Sequence, residues 1–201
     1  MGARVEVASL PTGLRTAIYR WLPAGPVKAV VVGVHGFAEH AGRYDHVGRF
    51  LSERGFALYM YDLRGHGRSE SPRGYVDRFE RFVEDTVAFA KLVKSETGAK
   101  TLLLGHSMGG LIAVLAAAEL GGELAGLITS SAARRVTVPA LVLHGGDDGI
   151  VLPYASRKLY EALASADKTL KIYESLRHEI FNEVEREKVL SDVAEWLEKH
   201  I

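Results

Sequence analysis

Thr101-Leu102-Leu103-Leu104-Gly105-His106-Ser107-Met108-Gly109-Gly110-Leu111-Ile112-Ala113 is the stretch on which the fold turns. An apolar β-rich run leads into Gly-x-Ser-x-Gly and then into an Ala/Leu-rich segment reaching Glu119, the pattern of a strand, a sharp bend and a helix. Small residues on either side of Ser107 permit the bend, which projects the hydroxyl away from the sheet, and the helix start leaves unclaimed backbone N–H groups beside it. A serine that merely caps the helix is the plainer alternative. A hydroxyl attacks well only when a base takes its proton and a third group orients that base, so the chemical reading requires a histidine and an acid elsewhere in the chain.

Outward from this stretch, short apolar runs alternate with longer segments of helical period. Strands are predicted over Val30–Val34, Ala57–Tyr61, Thr101–Leu104, Leu127–Ser130, Ala140–Leu143 and Leu170–Tyr173. Helices are predicted over Tyr44–Arg54, Phe79–Ser95, Met108–Glu119, Pro153–Ala164 and Asn182–Lys199, the last with an apolar stripe of Phe181, Val184, Val189, Val193 and Trp196. Continuous apolar strands separated by helices imply a mostly parallel sheet of about eight strands, covered on both faces. Val5–Leu10 and Leu14–Trp21 flank Pro11-Thr12-Gly13 and read as an antiparallel hairpin at the sheet edge. The expected organisation is a single α/β core domain over residues 1–201.

Composition narrows the function classes. With 25 Lys+Arg against 25 Asp+Glu, the chain has no global basic field to recruit nucleic acid or anionic lipid. It contains no cysteine, so thiolate metal sites, thiol nucleophiles and disulfides are excluded. No apolar run has the length of a signal peptide or membrane span, and the expectation is a cytoplasmic protein without a transmembrane segment. Asn182 is the only asparagine and glutamine is absent, a depletion expected of a protein that works hot.

In an open parallel sheet the reactive groups gather where the strands end. Those segments hold His35-Gly36-Phe37-Ala38-Glu39-His40, Asp62-Leu63-Arg64-Gly65-His66-Gly67-Arg68-Ser69, Gly145-Gly146-Asp147-Asp148 and Arg177-His178. Of eight histidines, His178 alone lies between the last predicted strand and the C-terminal helix, completing the chain order Ser, Asp, His. His35, His40, His66 and His106 read as loop residues with structural hydrogen bonds. Position does not choose between the adjacent Asp147 and Asp148 as the acid. Arg64 carries a second reading, as a binder of a carboxylate or phosphate. No metal is implied, since the Asp and His residues lack ligand spacing.

Together these motifs resemble the α/β-hydrolases of the monoacylglycerol lipase and lysophospholipase branch. The matching pieces are His35-Gly36-x-x-Glu39-His40-x-x-Arg43-Tyr44, Tyr61-Asp62-x-Arg64-Gly65-His66-Gly67-x-Ser69, Gly105-His106-Ser107-Met108-Gly109-Gly110, Gly145-x-x-Asp148 and His178. The resemblance implies a cofactor-independent serine carboxylester hydrolase with Ser107 as nucleophile, Asp148 as acid and His178 as base. It also implies an oxyanion hole from the backbone N–H groups of Phe37 and Met108. Small esters or lipids are the expected substrates, with Phe37 and Ile150 lining the pocket. A non-catalytic ligand-binding relative, or an acyltransferase or peptidase using the same serine, is the alternative.

One departure stands out. Members of this branch carry a helical cap after the sixth strand, but here only Ser131–Val138 occupies that place, and Ser107 and Asp148 are just 41 positions apart. The expectation is a core without a roof, broad in specificity, preferring short or medium acyl chains and self-associating through its bare rim.

Overall fold

The continuous apolar runs become strands, buried on both faces at Ala29–Val34, Phe56–Tyr61, Thr101–His106 and Ala140–Gly145 and half-buried at the edge strand Lys168–Tyr173. A computed structural model describes residues 2–130 and 136–201. It contains strands β1 (Arg4–Ser9), β2 (Arg15–Trp21), β3 (Ala29–Val34), β4 (Phe56–Tyr61), β5 (Thr101–His106), β6 (Gly126–Ser130), β7 (Ala140–Gly145) and β8 (Lys168–Tyr173). The helices are α1 (Asp45–Ser52), α2 (Glu80–Thr97), α3 (Met108–Leu120), α4 (Pro153–Ala162) and α5 (Arg186–His200). One eight-stranded sheet results, in the order β1-β2-β4-β3-β5-β6-β7-β8. The β1–β2 and β2–β4 pairs are antiparallel, and the remaining pairs from β4 to β8 are parallel.

Alternation along β3 shows how the layers form. Val30, Val32 and Val34 join a core built with α2, α3 and α4 through Phe82, Val93, Ile112 and Leu159. Ala29 and Val31 face the other way, into a core built with α1 and α5 through Leu51, Val193, Trp196 and Leu197. Each large apolar side chain removed from water in these layers contributes about 1.5–3 kcal/mol. The mostly parallel sheet covered on both faces that the strand–helix alternation predicts is thus observed, with the eight strands expected.

Order in the sheet decides what meets what. Strand β3 lies between β4 and β5, so the chain reverses its direction of travel across the sheet there, which opens a crevice at the carboxyl ends of neighbouring strands. Val34 pairs with Gly105, setting the loop after β3 beside the turn after β5. Gly145 pairs with Tyr173, which does the same for the loops after β7 and β8.

The C-terminal helix is a correction. It begins at Arg186 rather than Asn182, and Val184, expected on its buried stripe, is 98% exposed. Residues 182–185 instead form turns, with Asn182 N–H donating to the Glu179 carbonyl and Arg186 N–H to that of Glu183. Apolar period alone does not register such a turn. The short link expected at Ser131–Val138 lies largely outside the described residues, while Val136 and Val138 are buried.

Candidate active site

Ser107 occupies the bend between β5 and α3 with φ 53° and ψ −123°, a conformation that L-residues seldom adopt and that costs about 1–3 kcal/mol. The surrounding structure holds it. A side chain on Gly109 would overlap the carbonyls of Val34 and His35, so glycine there lets the start of α3 seat directly against the loop after β3. The Gly110 and Leu111 amides already bond to the Ser107 carbonyl, leaving the Met108 and Gly109 amides at the helix start without an intrahelical acceptor.

Three separate loops converge on this bend. Ser107 Oγ lies 3.0 Å from His178 Nε2, and His178 Nδ1 lies 2.8 Å from Asp148 Oδ2. Ile150 and Val151 donate their amides to Asp148 Oδ1 at 2.8 and 2.9 Å. Burial pushes the Asp148 carboxyl up, but the bond from His178 and those two amides outweigh it and hold the group below the usual carboxylate range. An ionised Asp148 only accepts, so the shared proton sits on Nδ1 and Nε2 presents its lone pair to the serine hydroxyl. The approach of the histidine loop depends on Gly145, where a side chain would overlap the Arg177 carbonyl. Asp147, next in sequence to the acid, points outward with its side chain 67% exposed, 3.5 Å from Arg177.

On the opposite flank stands the loop after β3. His35 is fully buried; its Nδ1–H donates to the Gly36 carbonyl at 2.8 Å, and its Nε2 accepts the Leu63 amide at 3.0 Å. Burial drives the ring down to about 3, so it is neutral near pH 7. In a trans peptide C=O and N–H point oppositely, so the bond from His35 turns the Phe37 N–H away from the imidazole. Neither the Phe37 nor the Met108 amide donates to a protein acceptor among the described residues. The Gly36 amide donates to the Glu39 carboxylate, which also accepts Tyr44 Oη at 3.0 Å and Arg43 at 3.3 Å. Arg43 then reaches Glu179 with two bonds of 3.1 and 2.9 Å, joining this loop to the residue beside His178.

Other sequence candidates take structural positions. Asp62 accepts the amides of Ala41 and Arg68 at 2.9 and 2.7 Å, pinning two loops together. Arg64 is held by Asp85 through bonds of 2.6 and 3.0 Å, which removes it as a free binder of a carboxylate or phosphate. His106 packs 5.2 Å from the His178 ring, and burial first, with that neighbour, lowers it to about 4. Phe37 and Ile150 stand 64% and 77% exposed at the carboxyl edge, with Leu152 and Tyr154 also exposed after β7. A cleft of about 650 Å³ opens beside His178, lined by Leu176, Arg177, Asn182 and Val184 among others. No group of three or more His, Asp or Glu among the described residues could hold a metal ion, and no helix among them is long and apolar enough to cross a membrane. His144 escaped the sequence reading, although its signal, an imidazole at the end of an apolar run before glycine, is the one that marks His35.

A family profile described as "Serine aminopeptidase, S33" matches residues 25–137 and 130–185. Monoacylglycerol lipase from Mycolicibacterium smegmatis is 28% identical over 265 aligned positions, covering 94% of this chain and 95% of that protein. Human monoglyceride lipase is 41% identical over 112 residues, 55% of this chain and 37% of that one. Among solved structures, Paleococcus ferrophilus monoacylglycerol lipase superposes with a TM-score of 0.81 at 24% identity, covering 92% of this chain and 99% of that one. A thermostable carboxyl esterase from Bacillus coagulans gives 0.82 at 18% identity, with 100% and 99% covered. Because 265 aligned positions exceed the 201 residues present, at least 64 residues of the mycobacterial protein face gaps. The two profile matches overlap at 130–137, from the last residue of β6 into the segment before β7.

Proposed function

The chain belongs to the Hydrolase_4 family, in the monoacylglycerol lipase branch of the α/β-hydrolases, and on that premise we propose that it is a serine carboxylester hydrolase acting on small esters or monoacyl lipids. The observation that carries the reading is the relay from Ser107 Oγ to His178 Nε2 at 3.0 Å and from His178 Nδ1 to Asp148 at 2.8 Å.

In this mechanism His178 takes the Ser107 proton as Oγ attacks the ester carbonyl. The carbonyl oxygen becomes negative between the Phe37 and Met108 amides, and loss of one such donor costs about a hundredfold to a thousandfold in rate. Collapse breaks the ester C–O bond; His178 gives its proton to the departing alcohol and Ser107 keeps the acyl group. Water then attacks the acyl-enzyme, passing its proton to His178, and the acid leaves with Ser107 restored. Asp148 stabilises the imidazolium in both halves.

Residues 1–201 form one core domain in this reading, with almost nothing at the place of the relatives' inserted segment. Phe37 and Ile150 flank an open acyl site, which suits short or medium chains. The test is a chain-length series of p-nitrophenyl esters on the wild type and on Ser107→Ala, Asp147→Ala, Asp148→Ala and His178→Ala. Turnover is expected to vanish with Ser107→Ala and His178→Ala, to drop steeply with Asp148→Ala and to persist with Asp147→Ala. Retained turnover in Ser107→Ala refutes the nucleophile, and aminoacyl-amide substrates assayed alongside distinguish a peptidase.

A further inference from the structure

His144, the fifth residue of β7, is buried with 2% of its surface exposed and is not part of the relay. Both its nitrogens are nonetheless engaged. Nε2 lies 2.8 Å from the Val151 carbonyl, which can only accept, so Nε2 carries a hydrogen. Nδ1 lies 2.6 Å from the Oγ of Ser156, a fully buried residue of α4. The same Nε2 stands 3.3 Å from Asp148 Oδ2, the oxygen that faces His178.

These contacts close a ring around the acid. The Val151 peptide is fixed at its carbonyl by His144, and the Val151 amide is one of the two that fix Asp148 Oδ1. Oδ2 then lies between two imidazole N–H groups, at 2.8 Å from His178 and 3.3 Å from His144. A carboxylate held through one oxygen by backbone and bordered on the other by two N–H dipoles has little freedom to rotate away from its partner.

We propose that His144 is a positioning residue of the hydrolase: its Nε2–H anchors the Val151 turn and borders Oδ2, keeping the Asp148 carboxylate in the orientation that meets His178. Ser156, by engaging Nδ1, sets the ring plane. The proposal rests on the serine-hydrolase reading, but it fails separately. Ser107→Ala abolishing turnover upholds that reading whatever His144 does.

The test measures kcat and KM on p-nitrophenyl butyrate, and the rate of Ser107 labelling by a fluorophosphonate, for His144→Phe, His144→Gln, Asp148→Ala and His144→Phe/Asp148→Ala. His144→Phe is expected to lower kcat and labelling about tenfold, with KM within about twofold, because only a bond that orients the relay is lost. His144→Gln, whose amide N–H reaches the place of Nε2, is expected to recover most of the rate. Once Asp148 is gone there is nothing left to position, so adding His144→Phe to Asp148→Ala changes the labelling rate by less than about twofold. A packing role instead lowers both backgrounds by the same factor. Equal losses in the two backgrounds, wild-type kcat in His144→Phe, or no recovery with His144→Gln overturns the proposal. If His144→Phe does not fold, Ser156→Ala in the two backgrounds decides the question by the same comparison.

Discussion

Buried imidazoles are concentrated around this site, and two of them govern how the protein responds to acid. In the unfolded chain His35 and His106 protonate below about pH 6.5. Burial keeps them neutral in the fold down to about 3 and about 4. Protons therefore bind the unfolded chain preferentially in that window, and stability falls as the pH drops from 6.5. At pH 4.5 the loss is on the order of 2 kcal/mol per ring. Glu39, pushed up by burial, acts in the opposite direction. Asp148, held down by His178 and two amides against the push of burial, adds to the loss only below the ordinary carboxylate range. A calorimetric series should show the Tm falling by about 5–10 °C between pH 7 and pH 4.5. A flat profile contradicts the burial of these rings. Gly109 is a second test at this scale. With the carbonyls of Val34 and His35 in the way of any Cβ, Gly109→Ala should lower stability by at least about 2 kcal/mol in urea titrations and remove activity with it.

Elements matter through the ends they bring together. The 3₁₀ turn Ala41–Tyr44 and the β8–α5 loop are joined through the side chains of Arg43 and Glu179. These are 38% and 41% exposed, so the pair contributes no more than about 1 kcal/mol to stability. Glu179 is next in the chain to His178, so the consequence expected of the pair is on where the imidazole sits. Glu179→Gln, which leaves the bond from Arg43 to the buried Glu39 in place, should lower kcat about three- to tenfold while shifting the unfolding midpoint little. A large stability loss with unchanged kcat contradicts this division. For α5 the correction at its start has its own consequence. Val184→Ser, in a turn at 98% exposure, should alter stability by less than about 0.5 kcal/mol, while Leu197→Ala, fully buried in the helix, should cost about 2–5 kcal/mol.

At the scale of the molecule, the chain is shorter than the kin it aligns with, and the consequence to test is specificity. At least 64 residues of the mycobacterial relative have no counterpart here, and the two profile matches overlap at 130–137. Phe37, Ile150, Leu152 and Tyr154 are left exposed at the carboxyl edge. An open edge offers a long acyl chain little apolar wall, so rates on butyrate esters should exceed those on laurate esters, and sedimentation should reveal self-association through the rim. Long-chain monoacylglycerols turning over far faster than butyrate esters in a monodisperse preparation contradict both. Transplanting the relative's inserted segment into 131–138 should move the preference toward longer chains.

The fold class was legible because its signals are local: apolar runs of strand length, helical period between them, and a glycine-flanked serine at one junction. Such patterns follow from which faces of an element must leave water, and neighbouring residues report that directly. What neighbouring residues do not report is direction across space. Asp147 and Asp148 are equivalent in sequence; one is exposed and the other buried against His178, because the turn after β7 aims successive side chains to opposite sides. Val184 keeps helical period yet lies outside α5, since only the hydrogen bonds of residues 179–186 mark where the helix starts. The ring of contacts from Ser156 through His144 to Asp148 and His178 joins α4, β7 and two loops, and its existence depends on how those pieces pack. Element type follows from local periodicity, whereas contacts between distant side chains arise only when tertiary packing selects one rotamer and one register from many.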